Sequence, residues 1–570
     1  MSNPLVNIKV QSPIKSQLFE PSSSNKLILS RRLMEIQPDT SSASYSYSGN
    51  NQIIFTINSV SDLLDWQHSY LRLKLTTTLS NSSVAQGNRY LAQGGAHALF
   101  REVVVQTAAG VQLYRAPRYN KHYAMHSQIM HSKDFVDDIL MKAGDSVDDA
   151  QSDQYVFKQL SYTIAASTYT AALKTLVLRA CRFGGVVLPG DLVAVELAAA
   201  TVSGVVLTCV DDGTDTTIVF ANDINGGVNV ASPNVLKVYF ANASSTRDEL
   251  EMRNLAAITG STNTDAITLC CKLNLPCLDV GYFPTMLLRG GIKIILTLED
   301  PAYVLAFRGQ PNNVVADYSV YTPVMVCDFV QPSEVLIQQY IDAYKTSGLK
   351  YVFPSYKWNM DSSNNGSSGN ANISINQNVR SARYILSKIQ DLRAETKTAG
   401  SEDAGVSTYT CDSIAQGRHG GLTRYRYVVN GNAYPLNGLQ LDVSDVAHME
   451  ALEEVDRALN LVDVPFRGRR TGLNEWANVV YDKNLYDRTS IARSNRFMFG
   501  ASLVKDPYSD FTGADLTLSP LQVELDFGSA MPGYTLIGGT SVATTPRYIH
   551  HFLAHDTLLL ISADGTIVFS

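Results

Sequence analysis

The sequence has no uncharged apolar stretch long enough to cross a membrane. Its most apolar long window, Val186–Leu207, is broken by Asp191 and Glu196. The first 40 residues hold no charged-then-apolar leader, so a secreted chain is not expected. Cysteine is sparse and irregular: seven residues, with Cys270 and Cys271 adjacent and Cys277 near. An odd, unevenly spaced set excludes a disulfide framework and predicts reduced, buried thiols in a protein made inside a cell. Charge is low as well, at 17% charged residues and a net charge of -7, which argues against a basic coat on nucleic acid. No phosphate loop, GxSxG elbow or HExxH pair occurs. The three tryptophans, Trp66, Trp358 and Trp476, are scattered, and no carboxylate pair stands out beside them. A sugar-cleaving cleft needs both, so a glycoside hydrolase is disfavoured.

What is present is short strand after short strand. A chain of 570 residues is too long for one core and predicts two or three domains. Gln52–Asn58 and Ser69–Leu79 alternate apolar and polar residues, with an apolar turn at Leu63, Leu64 and Trp66 between them. Leu99–Arg115 reads as a strand, a glycine turn and a strand. A helical stretch is expected over Tyr119–Lys142. Near mid-chain, Ile292, Ile294, Leu296 and Leu298 form one face of a strand, and Val324–Cys327 forms a second strand buried on both faces. Ser333 then caps a helix carrying Leu336, Ile337, Tyr340, Ile341 and Tyr344, and Gly348 stands where that helix ends.

Texture divides the chain. Residues 1–47 are serine-rich, without apolar period, and read as an arm. Thr175–Ala241, rich in Val and Thr with a hairpin signal at Asp212–Gly213, reads as a small β subdomain inserted in a larger frame. The frame otherwise spans 48–348 and 349–570. The second half holds a hairpin signal at Asn430–Gly431 and a helix over Ser444–Val462 capped by Ser444. The halves echo each other: Arg101, Gly110, Tyr114 and a helix in one, Arg424, Gly431, Tyr434 and a helix in the other. Each closes on an alternating strand, GIKIILTLED or LQVELDF, and a final apolar strand. The expected fold is all-β: two tandem eight-stranded jelly rolls with short helices and an inserted small β subdomain.

Short motifs then carry a resemblance. FPTMLLRGGIKI, the VMVCDFV strand and the SEVLIQQY helix are similar to the end of the first jelly roll in the double jelly-roll major capsid proteins of double-stranded DNA viruses. The nearest likeness is to virophages, polinton-like viruses and the nucleocytoplasmic large DNA viruses. HDTLLLISADGTIVFS is similar to that family's C-terminal strand, and SYLRLKLTT resembles an early strand of its first roll. The likeness covers about residues 48–570 and leaves about 155–250 outside. It implies a homotrimer of pseudo-hexagonal outline, tiling an icosahedral shell in the virion after synthesis in a host cell. Neighbouring capsomers, penton and minor capsid proteins would be its partners, with an internal membrane or the genome on the inner face and no small-molecule substrate. The readings weighed against it are a jelly-roll carbohydrate-active enzyme and a tandem-sandwich carbohydrate-binding adhesin.

No catalytic, cofactor or metal site is expected. His122 and His126 would share a helix face, with His131 pointing away, and surface histidines are the favoured reading. His550, His551 and His555 lie on a terminal strand and are read the same way. Asp211, Asp212 and Asp215 lack the spacing of a calcium loop and read as a solvated turn. Arg467, Arg469 and Arg470 are the densest basic cluster. They could face an anionic partner, but pairing with the helix of Glu450, Glu453 and Glu454 is favoured.

Overall fold

The computed structural model describes residues 28–569 apart from a few isolated positions and the stretches 80–87, 133–139, 144–157, 161–167, 179–191, 198–200, 212–214, 232–234, 241–266, 309–315, 391–413, 415–416, 442–448, 462–495, 505–510 and 536–540, within which Phe135 and Trp476 are described.

Eight strands build the first half: β1 (Ile28–Ile36), β2 (Gln52–Ile57), β3 (Leu63–Leu79), β4 (Phe100–Thr107), β5 (Gln112–Pro117), β6 (Ile267–Cys271), β7 (Ile292–Leu298) and β8 (Ala316–Pro332). Eight more build the second: β9 (Leu349–Asn364), β10 (Gly369–Ile375), β11 (Ala382–Gln390), β12 (Leu422–Val429), β13 (Asn432–Gln440), β14 (Phe499–Ser502), β15 (Leu521–Phe527) and β16 (Arg547–Ser562). The first pair of sheets runs β1-β8-β3-β6 and β2-β7-β4-β5; the second runs β9-β16-β11-β14 and β10-β15-β12-β13. Adding eight to each number turns one order into the other. Two antiparallel four-stranded sheets wound in this order are a jelly roll, so the chain is a double jelly roll. A short extra strand joins each first sheet, Tyr282–Phe283 on β3 and β17 (Gly565–Phe569) on β16.

The period-2 patterns become the cores. Ile292, Ile294, Leu296 and Leu298 on β7 are fully buried, as are Leu521, Val523 and Leu525 on β15. Val324–Cys327 is buried on both faces as its unbroken apolar run predicts. The repeat holds at the level of register. Ile294 lies opposite Phe55 and Val105, and Val105 opposite Tyr114. Val523 lies opposite Ile373 and Tyr427, and Tyr427 opposite Tyr434. Tyr114 and Tyr434 therefore occupy the same place in the two rolls. The hairpins turn where expected, on Gly110 with φ 89° and on Asn430–Gly431 with φ 50° and 78°.

Three longer helices punctuate the strands: α1 (Tyr119–Met130), α2 (Glu334–Thr346) and α3 (Met449–Ala458). The Ser333 hydroxyl caps α2 by accepting from the Leu336 amide at 3.4 Å. Gly348 follows with φ 71°, and a Cβ there would meet Leu560 Cδ1 at 2.6 Å, so glycine is required both for the turn and for the approach of β16.

Several expectations are corrected. Ile28–Ile36, assigned to the arm, is the edge strand of the first roll, paired to Met325–Pro332. It is exposed on both faces and so carries no alternation to read. Arg31 reaches the buried carboxylates of Asp65 and Asp328 instead, and Arg32 that of Asp62. The rest of the arm, residues 1–27, lies outside the described residues. Leu63, Leu64 and Trp66 are not a turn but the start of β3, where pairing with β8 and Tyr282–Phe283 buries them completely. Helix α1 ends at Met130, with His131 extended, rather than running to Lys142. Ser444 lies outside the described residues; the helix there is described from Met449.

The inserted sheet is wider than its hairpin signals suggested. Eight strands, from Lys158–Leu160 to Val235–Phe240, form one sheet between α1 and β6. Asp212 and Gly213 lie outside the described residues; the strands that flank them, Thr201–Asp211 and Thr216–Phe220, pair antiparallel. Because its strands pair with one another, replacing 158–240 by a Gly/Ser linker should leave both rolls folded. The check is a thermal melt: a transition within a few degrees of the parent is expected, and an unfolded product would put this sheet in the core.

Candidate functional site

The two rolls meet along a seam that joins unlike surfaces. The first roll contributes the end of β5 and helix α1; the second contributes the outer face of the β9-β16-β11 sheet. The pleat places Tyr356 and Trp358 on that face of β9, His550 and Phe552 on β16, and Tyr384, Lys388 and Gln390 on β11. The Tyr356 hydroxyl donates to the Pro117 carbonyl at 3.1 Å, and Tyr114 meets Phe353 edge-on with ring centroids 6.4 Å apart. His122 stacks on Tyr356 at 3.6 Å and lies 5.4 Å from Phe552. Arg118 lies over Trp358 at 5.3 Å. Buried Lys121 donates to Gln390 Oε1 at 2.8 Å. On the other side α1 is tied to its own roll, where Asn120 and Arg118 reach buried Glu299 at 3.0 and 3.5 Å. The helix is thus a rivet through the joint.

Of the histidines expected at the surface, His122, His550, His551 and His555 are buried, and His126 and His131 are half-buried. His122 and His126 do share a helix face, with ring centroids 4.3 Å apart. Burial, then His126 and Lys388, holds the His122 imidazole well below its ordinary range, and burial with His131 pushes His126 down to about 4. His550 accepts from Trp358 Nε1 at 3.2 Å. His551 points into the second core against Ser387 Oγ at 2.7 Å, and burial pushes it down to about 3. His555 is pushed down to about 4, again chiefly by burial. His122, His126, His551 and His555 pack as neutral polar groups.

A constellation the sequence reading missed joins Asp65, His68 and Asp328, whose ligand atoms lie within 4.8 Å of one another. The Arg31 guanidinium donates to both carboxylates, and His68 Nδ1 lies 2.8 Å from Asp65. Two desolvated carboxylates bridged by one arginine suit an ion pair that pins an edge strand, not an open metal site. The residues are 34 and 297 positions from Arg31, so no local spacing could have revealed them. Asp215 is described but Asp212 is not, and Arg467, Arg469 and Arg470 also lie outside the described residues. Cys270, Cys271, Cys277 and Cys327 are free thiols, and burial pushes those of Cys271 and Cys327 up to about 12.

No protein-family model matches the chain, and no curated protein matches it. Solved structures do. The Sputnik virophage structure from cryo-electron microscopy is matched over 100% of this chain and 92% of that one, at 11% identity and a TM-score of 0.49. The Faustovirus major capsid protein is matched over 96% and 92%, at 10% identity and 0.47. The mavirus major capsid protein is matched over 100% and 96%, at 10% identity and 0.41. The strand order within the chain carries the fold independently of these likenesses. In fold the chain is a double jelly roll, similar over 96% of its length to the major capsid protein of Faustovirus and over 100% to that of mavirus.

Proposed function

We propose that this protein is a major capsid protein, the structural subunit of an icosahedral virus shell, acting as a homotrimer in the virion. The observation that carries the reading is the pair of rolls with identical strand order joined by unlike faces. A contact between unlike surfaces, repeated between copies, closes into a ring where its rotation divides the circle, and three chains of two rolls then give six near-equivalent blocks with a pseudo-hexagonal outline. Neighbouring capsomers, penton and minor proteins would pack against that ring, with a membrane or genome beneath. The chain divides at Gly348, with the residues before β1 as an inner arm and the inserted sheet on the outer side.

A carbohydrate-active or carbohydrate-binding role is disfavoured by the tryptophans. Trp66 and Trp476 are buried in the cores, and Trp358 is covered by Arg118. None offers a platform for a sugar ring. Light scattering on the purified chain should give the mass of three copies, and micrographs should show hexagonal blocks or closed particles. A stable monomer at micromolar concentration would overturn the proposal.

A further inference from the structure

The first roll holds a cavity of about 720 Å³ that the shell reading does not use. Its walls come from α1, the 3₁₀ turns Gly95–Leu99 and Leu140–Ala143, the early part of β3, and the end of β6 with the residues after it. Packed interiors leave few voids larger than a water molecule. Small-molecule sites run to about 300–1,000 Å³. The space therefore has the size of a ligand site and not of a packing defect.

Its depth is aromatic and uncharged. His97, Tyr123, Ser127, Cys271 and Leu273 line it as buried residues. The His97 imidazole lies flat on the Tyr123 ring, with centroids 3.8 Å apart and planes 15° from parallel. The Tyr119 hydroxyl holds that imidazole at 2.9 Å. His131 stands 6.2 Å from Tyr123, with its Nδ1 3.1 Å from the Ser127 hydroxyl. Half-buried His126 and Met130 complete the α1 wall. Rings and a thioether form a surface for a flat aromatic body. Among the described lining residues no carboxylate, lysine or arginine is buried. Charge is confined to the rim, where Lys142, Lys272 and Asp279 are exposed. Asp279 is the acid among them, and it is paired to Lys272 at 3.5 Å. His68, also at the rim, turns its Nδ1 to Asp65 at 2.8 Å. Lys142 enters no ion pair among the described residues, so the rim carries one lysine in excess.

An aromatic depth beneath an unneutralised ammonium selects a flat ring that carries a negative group. We infer that this cavity is a binding site for a planar aromatic anion, its ring among Tyr123, His126 and Met130 and its acidic group at Lys142. Two kinds of molecule have that chemistry, a nucleoside monophosphate and an aromatic carboxylate. His126 links the site to the joint between the rolls, since its Nε2 lies 3.4 Å from the Tyr384 hydroxyl of the second roll. A bound ring therefore packs on the helix that rivets the two rolls together, and it stabilises the folded chain by mass action. The inference adds a ligand to the protein and does not depend on the shell reading.

The test is calorimetric titration of the full chain at neutral pH with adenosine monophosphate and naphthoate, each beside its uncharged counterpart, adenosine and naphthylmethanol. At least one charged probe should bind with a Kd below about 1 mM, and about tenfold more tightly than its counterpart. The tighter of the two charged probes names the source. At saturation it should raise the melting temperature by a few degrees. Lys142→Glu should remove the preference for the charged probe and leave the uncharged one unaffected. Met130→Trp, which fills the cavity from α1, should abolish binding of every probe, while the unliganded melt of each variant stays within a few degrees of the parent. Lys142 is exposed, so its substitution carries the test where the tryptophan is not accommodated. The site is overturned by the failure of both charged probes to bind below about 1 mM, by a charge preference that ignores Lys142→Glu, or by binding that survives Met130→Trp. None of these results touches the shell reading, which the mass of the purified protein decides separately.

Discussion

Ending the chain after Ala554 should abolish soluble, folded protein. The cut falls inside β16, the strand between β9 and β11 in the second roll. It removes His555–Ile561, which pair with Leu349–Ser355 along the joint between the rolls. Leu559 and Ile561 are fully buried, worth roughly 1.5–3 kcal/mol each. Asp556 goes too, and with it the acceptor for the Ser381 hydroxyl, the Arg383 guanidinium and the Phe511 amide. Leu349, Tyr351 and Phe353 would lose their neighbour and expose a sheet edge, which invites aggregation. The apolar gain is smaller than the run Leu558–Ile561 suggests: Leu558 and Leu560 are half-buried and Phe569 is 45% exposed, so the strand is not covered on both faces throughout. The loss of the partner of Leu349–Ser355, together with the Asp556 hydrogen bonds, outweighs that reduction. Expression of the shortened chain, then sizing and circular dichroism, is the check. A soluble product that melts cooperatively would show this segment to be a peripheral tail.

Mild acid should destabilise the protein steeply. His126, His551 and His555 titrate near 4, 3 and 4 in the folded chain, and His122 is also held low. In the unfolded chain each takes a proton near pH 6.5. Folded pKa values below the unfolded value mean that stability is complete above about pH 6.5 and is lost as pH falls toward 4. Each histidine contributes up to roughly 1.4 kcal/mol per pH unit in that window. Four of them over two units approach the whole stability of a domain, about 5–15 kcal/mol. At the joint the Lys388 charge adds to the effect, lowering His122 further. The melting temperature should therefore fall sharply between pH 6.5 and 4.5. His122→Phe, which keeps the stack on Tyr356, combined with His126→Leu should flatten that slope. A melting temperature unchanged from pH 7 to 5 would refute the account.

Much of the frame could be read along the chain because strand periodicity is local. Ile292–Leu298 and Leu521–Phe527 declare their inner faces by alternation, the Asn430–Gly431 pair declares its hairpin by backbone preference, and Ser333 and Gly348 bracket a helix by their own chemistry. The repeat of these signals in order was enough to expect two jelly rolls. It missed β1, since an edge strand exposed on both faces has no inner face to alternate with. It also misjudged Leu63–Trp66, whose burial comes from strands more than 200 residues away.

The sequence by itself determined which alternating segments become strands, where their hairpins turn and that the pattern occurs twice, because each of those depends on neighbours within a few positions. Only the tertiary structure decided what the outer faces meet. Tyr356, Phe552 and His122 come from three distant segments and become one joint. Asp65, Asp328 and Arg31 become one ion cluster, its carboxylates buried beneath the guanidinium. A side chain on the non-core face of a strand carries the same local signal whether it ends in water or under another roll, and the difference is made only when the rolls pack.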